Sequence, residues 1–162
     1  MTATDHKRAL LIAGPTASGK SALALEKAMG LNGVVINADA LQVYSSLRIL
    51  SARPTPEDEA RAPHRLYGHV GAEQAYSVAS WLAEARREME AAWEQGRLPI
   101  VTGGTGLYFR ALELGLAPVP EIPEAVRSHW RSFAGDLHAE LSARDAAMAA
   151  KLLPTDRQRL CR

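Results

Sequence analysis

Three short apolar runs, at residues 9–13, 34–36 and 98–101, stand out along the chain. Each run is too short for a helix and is rich in Ile, Val or Leu without alternating polar residues. This pattern is typical of strands that are buried on both faces of a parallel sheet. We therefore predict that the three runs form strands of one parallel sheet.

Two helical patterns lie between these runs. Residues 18–29 repeat apolar side chains at helical spacing directly after the first run, and residues 77–95 do so over a longer stretch. Ser77 can cap the start of the second pattern, and Gly96 lies just past its end. The alternation of strands with helices predicts an α/β fold in which helices flank the sheet.

The remaining stretches lack this regular alternation. Residues 53–71 contain three prolines and no clear period, so we expect a loop or a short helix there. Toward the end of the chain, prolines lead into helical patterns at residues 124–133 and 137–151, which have no obvious partner in the sheet. We therefore divide the chain into an α/β core, residues 1–116, and a helical segment, residues 117–162.

The composition of the 162 residues is that of a globular protein. Hydrophobic residues make up 47% and charged residues 23%, which excludes collagen, coiled coil and disordered tail. The lone Cys161 excludes an internal disulfide and a cysteine-rich zinc site. No apolar stretch approaches the roughly 18 residues that span a membrane, so we expect a cytoplasmic protein without membrane contact. The net charge of +1 provides no global field that attracts RNA, but residues 151–162 carry four basic side chains against Asp156.

The first predicted strand leads into a complete phosphate-loop motif. The motif comprises Gly14, Pro15, Thr16, Ala17, Ser18, Gly19, Lys20 and Ser21, and it opens a predicted helix, as this motif requires. The backbone N–H groups of such a loop and the helix N-terminus bind a phosphate anion. Lys20 can reach the terminal phosphate, and the Ser21 hydroxyl can hold Mg²⁺. We therefore expect a ligand that carries a diphosphate.

The loops after the other two strands hold the remaining candidates. Nucleotide hydrolases with a phosphate loop normally place an aspartate at the end of another buried strand, yet here the strand at 98–101 runs into Thr102 and two glycines. The available carboxylate is Asp39, which follows the strand at 34–36. Asp39 is either a functional group beside the phosphates or a cap for the following turn, and the residues alone leave both hypotheses open. Residues 103–106 are either a tight turn or a segment in which Thr105 offers a hydroxyl to a substrate. Parallel strands end at one edge of a sheet, so we expect all three loops to meet at one pocket.

Over nearly its whole length the chain resembles the tRNA dimethylallyltransferases, also called tRNA isopentenyltransferases. Six blocks in the family's order carry the resemblance: Gly-Pro-Thr-Ala-Ser-Gly-Lys-Ser at 14–21, Asn-Ala-Asp at 37–39 with Gln-Val-Tyr at 42–44, Pro-Thr-Pro at 54–56 ahead of Pro-His at 63–64, Tyr-Ser-Val-Ala at 76–79, Gly-Gly-Thr-Gly-Leu-Tyr at 103–108, and Pro-Thr-Asp-Arg-Gln-Arg at 154–159. The expected fold is then a P-loop NTPase-like parallel sheet with flanking helices, plus part of a helical tRNA-binding module. The resemblance implies transfer of a dimethylallyl group from dimethylallyl diphosphate to N6 of the adenosine next to the tRNA anticodon, with release of diphosphate.

The same resemblance implies roles for individual residues. Asp39 would be the base that takes the proton from the adenine amine. Lys20, the loop amides and a Mg²⁺ at Ser21 would neutralise the leaving diphosphate, and Thr105 would lie beside the reacting groups. Positions that match tRNA-contacting segments of the family are Asp39, Ala40, Leu41, Gln42, Thr105, Arg127, Gln158, Arg159, Leu160, Cys161 and Arg162. Among these, Gln42 is a candidate for reading the edge of the adenine. Arg127 is either an arginine near the substrate or a solvated surface residue, and the residues alone leave both hypotheses open.

Two departures from the family pattern bear on activity. Ala40 stands where the family usually has serine, which removes a hydroxyl near the implied base. Family members are also much longer, so we expect this chain to be a fragment that stops inside a helix. We also expect it to be a monomer. Two other hypotheses stay open. One is a P-loop small-molecule kinase that binds ATP, and the other is an inactive fragment that binds diphosphate without turnover.

Overall fold

The computed structural model describes residues 7–117 and 122–161 of the chain. The chain divides into two compact units, Met1–Leu116 and Ala117–Arg162. The first unit contains a four-stranded sheet covered by helices, and the second contains short helices. The phosphate loop and the loops that follow the other strands therefore belong to one compact unit.

All four strands of the first unit run parallel. They are β1 (Leu10–Ala13), β2 (Gly33–Asn37), β3 (His64–Arg65) and β4 (Leu98–Gly103), in the order β1-β4-β2-β3. The three predicted strands and the parallel α/β fold are confirmed. Burial of β1 on both faces was a wrong prediction, because β1 is an edge strand and Leu11 is 36% exposed. Strand β3 lies inside the predicted loop at 53–71, since its two residues are too few to show a period.

Helices cover both faces of the sheet. The first unit contains α1 (Lys20–Gly30), α2 (Pro56–Arg61), α3 (Val78–Glu94) and α4 (Gly106–Leu114), with a short 3-10 helix at Ser45–Leu47. Alternate residues of a strand point to opposite faces, so Val35 packs in the cluster with α1, while Val34 and Ile36 pack with α3 and α4. The predicted helices α1 and α3 are confirmed. Helix α4 was not predicted, because its first residue, Gly106, belongs to a glycine-rich segment typical of turns.

One aromatic pair joins α3 and α4 to the end of β2. Trp81 of α3 is fully buried and stacks on Tyr108 of α4, with ring centroids 4.3 Å apart and planes 12° apart. The indole N–H of Trp81 donates to the carbonyl oxygen of Asn37 at 2.7 Å. A buried indole is stable when its N–H has such a partner, so this contact fixes the end of β2 to the core.

The described part of the second unit consists of short helices. They are α5 (Glu124–Ser132), α6 (Leu137–Arg144), α7 (Ala146–Ala149) and α8 (Arg157–Leu160). The helix predicted at 124–133 is confirmed. The single helix predicted at 137–151 is wrong, because Asp145 interrupts it and caps α7, its carboxylate accepting the N–H of Met148 at 2.9 Å. In the described parts of both units, no helix combines the length and the apolar character needed to cross a membrane.

The end of β4 lies directly against the backbone that follows β2. A Cβ atom at Gly103 would lie 2.2 Å from both the carbonyl carbon and the carbonyl oxygen of Ala38. The N–H of Ala38 donates to the carbonyl oxygen of Thr102 at 2.7 Å, which extends the pairing with β4 one residue past the end of β2. Only glycine at position 103 leaves room for this close approach.

Replacing Gly103 with alanine should therefore destabilise the first unit. The added methyl group has to displace backbone, so we expect Gly103→Ala to lower the free energy of unfolding by about 2 kcal/mol or more. Urea and thermal denaturation measure this change. Gly30→Ala is the matched control, since apart from its chain neighbours and the backbone of its own helix no atom lies within 4 Å of the Cβ position there. Equal stability of the two variants would contradict the close approach.

Candidate active site

Three loops meet at the carboxyl edge of the sheet. Ala13 pairs with Gly103, and Asn37 pairs with Thr102, so β1, β2 and β4 end almost level with one another. The carboxyl edge of an open parallel sheet is where such folds bind ligands. The structure therefore brings the phosphate loop and the loops that carry Asp39 and Thr105 to the same edge.

The phosphate loop turns sharply between β1 and α1. Gly14, Pro15, Thr16, Ala17, Ser18 and Gly19 form the turn, and Lys20 and Ser21 begin α1. Ala17 and Gly19 have positive φ angles of 64° and 80°. No side chain caps the start of α1, so its first N–H groups are left for solvent or a bound anion. Lys20 Nζ donates to the carbonyl oxygen of Pro15 at 2.9 Å, which lays the ammonium group across the loop.

The Asp39 carboxylate lies close to the phosphate loop. A Cβ atom at Gly104 would lie 3.5 Å from Asp39 Oδ2 and 3.6 Å from the carbonyl oxygen of Gly14. A single side chain at position 104 would therefore fill the space between the carboxylate and the start of the phosphate loop. Asp39 Oδ1 accepts the N–H of Leu41 at 2.9 Å and closes an Asx turn. The capping hypothesis thus accounts for one oxygen of Asp39, while Oδ2 faces Gly104.

Thr105 ties the loop after β4 to the loop after β2. Its Oγ1 accepts the N–H of Ala40 at 2.9 Å, and its own N–H donates to the carbonyl oxygen of Ala38 at 3.1 Å. Ala40 enters this contact through its backbone N–H, so the link does not depend on the side chain at position 40. The two loops that hold Asp39 and Thr105 are thereby fixed relative to each other.

The residues after Ala40 have different surroundings. Leu41 is 58% exposed. The Nε2 of Gln42 donates to the carbonyl oxygen of Ser51 at 2.8 Å and to that of Ala52 at 3.3 Å. The side-chain amide predicted to read the adenine edge therefore holds the neighbouring turn in this structure. Contact of Leu41 and Gln42 with RNA stays a prediction.

Sequence patterns missed two buried polar residues at the site. Asn37 is fully buried and hydrogen-bonds to the backbone of Asp39. Burial raises the pKa of Tyr108 to about 12, and the nearby Tyr44 and Asp39 add to the shift. The phenol of Tyr108 is therefore protonated at neutral pH and cannot act as a base. Both residues belong to family blocks, Asn-Ala-Asp and Gly-Gly-Thr-Gly-Leu-Tyr, which is the signal that could have identified them.

Ser21 is the predicted protein ligand of Mg²⁺. It is exposed in the first turn of α1. Within residues 7–117 and 122–161, no group of three or more His, Cys, Asp or Glu side chains could hold a metal ion. Mg²⁺ commonly combines one or two protein ligands with phosphate oxygens and water. A single hydroxyl beside the phosphate loop fits a Mg²⁺ that binds together with a diphosphate, and this site stays a prediction.

The second unit holds the other residues predicted to contact RNA. Three of them are exposed: Arg127, Gln158 and Arg159. Leu160 is buried, and Cys161 Sγ donates to the carbonyl oxygen of Trp130 at 3.3 Å. Arg162 lies outside the described residues. RNA contact by this group stays a prediction.

Comparison with known proteins gives one consistent result. A family model described as IPP transferase matches residues 42–162, and one described as Isopentenyl transferase matches residues 7–74. Over 159 residues the chain is 62% identical to a tRNA dimethylallyltransferase of Azorhizobium caulinodans and 57% identical to one of Methylocella silvestris. These alignments cover 95% of this chain but only 51% and 52% of the relatives. The chain therefore spans about half the length of the curated relatives it matches.

Two solved structures share the fold. One is a eukaryotic dimethylallyltransferase acting on tRNA, with a TM-score of 0.82 and 26% identity over 94% of this chain and 39% of that chain. The other is the tRNA isopentenylpyrophosphate transferase of Bacillus halodurans, with a TM-score of 0.66 and 32% identity over 96% of this chain and 53% of that chain. Each match extends over nearly all of the present chain.

Removal of the Lys20 ammonium group should weaken anion binding at the phosphate loop. A hydrogen bond to a charged group contributes about 1.5–3 kcal/mol, so we expect Lys20→Ala to reduce the affinity for inorganic diphosphate about 10- to 100-fold. Isothermal titration calorimetry measures the affinity. Lys27→Ala on the same helix is the control, since Lys27 pairs with Glu26 away from the loop. Equal affinities for the two variants would contradict a diphosphate site at the loop.

Proposed function

The chain belongs to the IPP transferase family, and we propose that it takes part in transfer of a dimethylallyl group from dimethylallyl diphosphate to N6 of the adenosine next to a tRNA anticodon. The observation that carries this proposal is the position of Asp39 Oδ2 across Gly104 from the phosphate loop. A base beside a diphosphate site suits a reaction in which an amine loses a proton while diphosphate leaves. The name of the relatives, tRNA dimethylallyltransferase, indicates which group is transferred and which class of acceptor receives it.

The phosphate loop would stabilise the leaving group. When the bond between C1 of the dimethylallyl group and the diphosphate oxygen breaks, the electron pair stays on the oxygen and the diphosphate gains negative charge. The first N–H groups of α1 and the Lys20 ammonium group provide positive charge at that place. Lys20 would exchange its contact with the Pro15 carbonyl oxygen for a phosphate oxygen. When bound at Ser21, Mg²⁺ would add Lewis-acid stabilisation of the same charge.

Asp39 would act on the acceptor. The N6 nitrogen forms the new bond to C1 and must lose one proton, which Oδ2 can take from a distance of about 2.6–3.2 Å. Oδ1 remains bound to the N–H of Leu41, so the carboxylate keeps one orientation. Thr105 holds the same turn through the N–H of Ala40. The chain's own residues would thus accept the proton without moving the loop.

The acceptor adenine has to leave its stack to reach Asp39. Extrusion of a base costs a few kcal/mol, which contacts in the protein site must offset. Leu41 and Leu107 are 58% and 57% exposed, and each follows a site residue by two positions. They offer apolar surface to the extruded base or to the dimethylallyl group. With tRNA as acceptor, we expect the enzyme to work in the cytoplasm.

Transfer assays separate this function from phosphoryl transfer and from binding without turnover. The chain is incubated with labelled dimethylallyl diphosphate and unmodified tRNA, and in parallel with labelled ATP and small hydroxyl compounds. The Azorhizobium relative is the positive control. We expect label in tRNA and none in phosphorylated small molecules. Label transferred only from ATP would support a P-loop kinase, and binding without transfer would support an inactive diphosphate-binding fragment.

Asp39→Asn isolates the proposed base. The variant keeps a side-chain oxygen for the N–H of Leu41 but cannot take a proton. We expect the single-turnover rate of transfer to fall at least about 100-fold. The affinity for inorganic diphosphate should not fall, since the variant removes a negative charge near the anion and leaves the phosphate loop intact. A loss of affinity as large as that of Lys20→Ala would count against Asp39 as the base.

A further inference from the structure

We propose that Asn37 is a positioning residue that orients the Asp39 carboxylate toward the acceptor amine, an inference that rests on the proposed function. Asn37 is the last residue of β2 and is fully buried. It lies two positions before Asp39, at the point where the strand gives way to the turn. Its side chain hydrogen-bonds to the backbone of Asp39 and not to the carboxylate, so its effect on the reaction is indirect.

The Asn37 amide holds both backbone polar groups of Asp39. Its Oδ1 accepts the N–H of Asp39 at 2.9 Å, and its Nδ2 donates to the carbonyl oxygen of Asp39 at 3.0 Å. Nδ2 also donates to the carbonyl oxygen of Leu66 at 3.0 Å. The side chain thus uses its acceptor and both of its N–H hydrogens. A rotation of the Asp39 backbone would break two hydrogen bonds at once, so the turn has one favoured orientation.

The core holds Asn37 in place. Trp81 donates its indole N–H to the carbonyl oxygen of Asn37, and both residues are fully buried. Trp81 is stacked in turn on Tyr108. Because interiors are close-packed and yield little, Asn37 cannot shift without disturbing this stack. The orientation of Asp39 is therefore linked to the packing of α3 and α4.

Comparison with Thr102 distinguishes positioning from packing. Thr102 is the register partner of Asn37 on β4 and is 3% exposed. Its Oγ1 has no hydrogen-bond partner among the described residues. Thr102 is therefore a buried polar side chain of the same layer that forms no hydrogen bond with Asp39. The amide of Asn37, in contrast, forms three hydrogen bonds, and two of them are to the backbone of Asp39.

Asn37→Leu tests the inference, because leucine has a similar size and no hydrogen-bonding group. We expect kcat for transfer to tRNA to fall about 100-fold, because a displacement of a reacting group by about 1 Å can slow a reaction by that factor. The KM for dimethylallyl diphosphate should change less than about 2-fold. Amide hydrogen exchange at Asp39 should become at least about 10-fold faster, while the β2–β4 ladder keeps its protection. Asn37→Ser should restore part of kcat, since a hydroxyl can accept the N–H of Asp39.

Thr102→Val is the matched control, since it removes a buried hydroxyl from the same layer and should leave kcat and exchange unchanged. Unchanged kcat or unchanged exchange at Asp39 in folded Asn37→Leu would overturn the inference, as would an equal fall in kcat for Thr102→Val. If Asn37→Leu does not fold, kcat and amide exchange at Asp39 are measured on Asn37→Ser instead. Wild-type values of both in that variant would overturn the inference. A wild-type chain that transfers nothing counts against the proposed function instead, and the exchange measurement then decides the inference alone.

Discussion

The close approach of Ala38 to Gly103 is the constraint on which the candidate site depends. Without a side chain at Gly103, the backbone leaving β2 reaches that leaving β4, and Ala38 bonds to Thr102 through its N–H and to Thr105 through its carbonyl oxygen. This contact places Asp39 beside Gly104, and Gly104 lies near the start of the phosphate loop. A parallel sheet only brings its loops to a common edge, whereas this backbone contact joins two of them directly by hydrogen bonds.

The same arrangement suits the movement of charge in the proposed reaction. Before transfer, negative charge lies on Asp39 and on the diphosphate ester. After transfer, Asp39 carries the proton and the free diphosphate carries one more negative charge, so the total charge of the site is unchanged. The repulsion between two like charges grows with the size of each charge. Protonation of Asp39 would therefore remove its repulsion with the diphosphate as the charge of the diphosphate grows. Lys20 and the start of α1 would stabilise that added charge.

The sequence predicts the parts of the structure that local patterns encode. Three apolar runs predict β1, β2 and β4, and the phosphate-loop motif predicts an anion site, because a short apolar run and a strand-to-helix turn are each encoded within a few residues. The role of Asn37 depends instead on Leu66 and Trp81, which are 29 and 44 residues further along the chain. Asparagine before Ala-Asp is typical of a loop, and only the tertiary fold buries it and brings its hydrogen-bond partners within reach. Asp145 likewise divides a helix by a side-chain cap that an apolar period does not reveal.

The distance between Asp39 Oδ2 and N6 of a bound adenine tests the central claim most directly. A crystal structure of the chain with a non-reactive thio analogue of dimethylallyl diphosphate and an anticodon stem-loop would measure it. We predict that N6 lies about 2.6–3.2 Å from Oδ2, with the diphosphate group on the loop at residues 14–21. A diphosphate bound elsewhere, or an N6 beyond hydrogen-bonding reach of Asp39, would contradict the account.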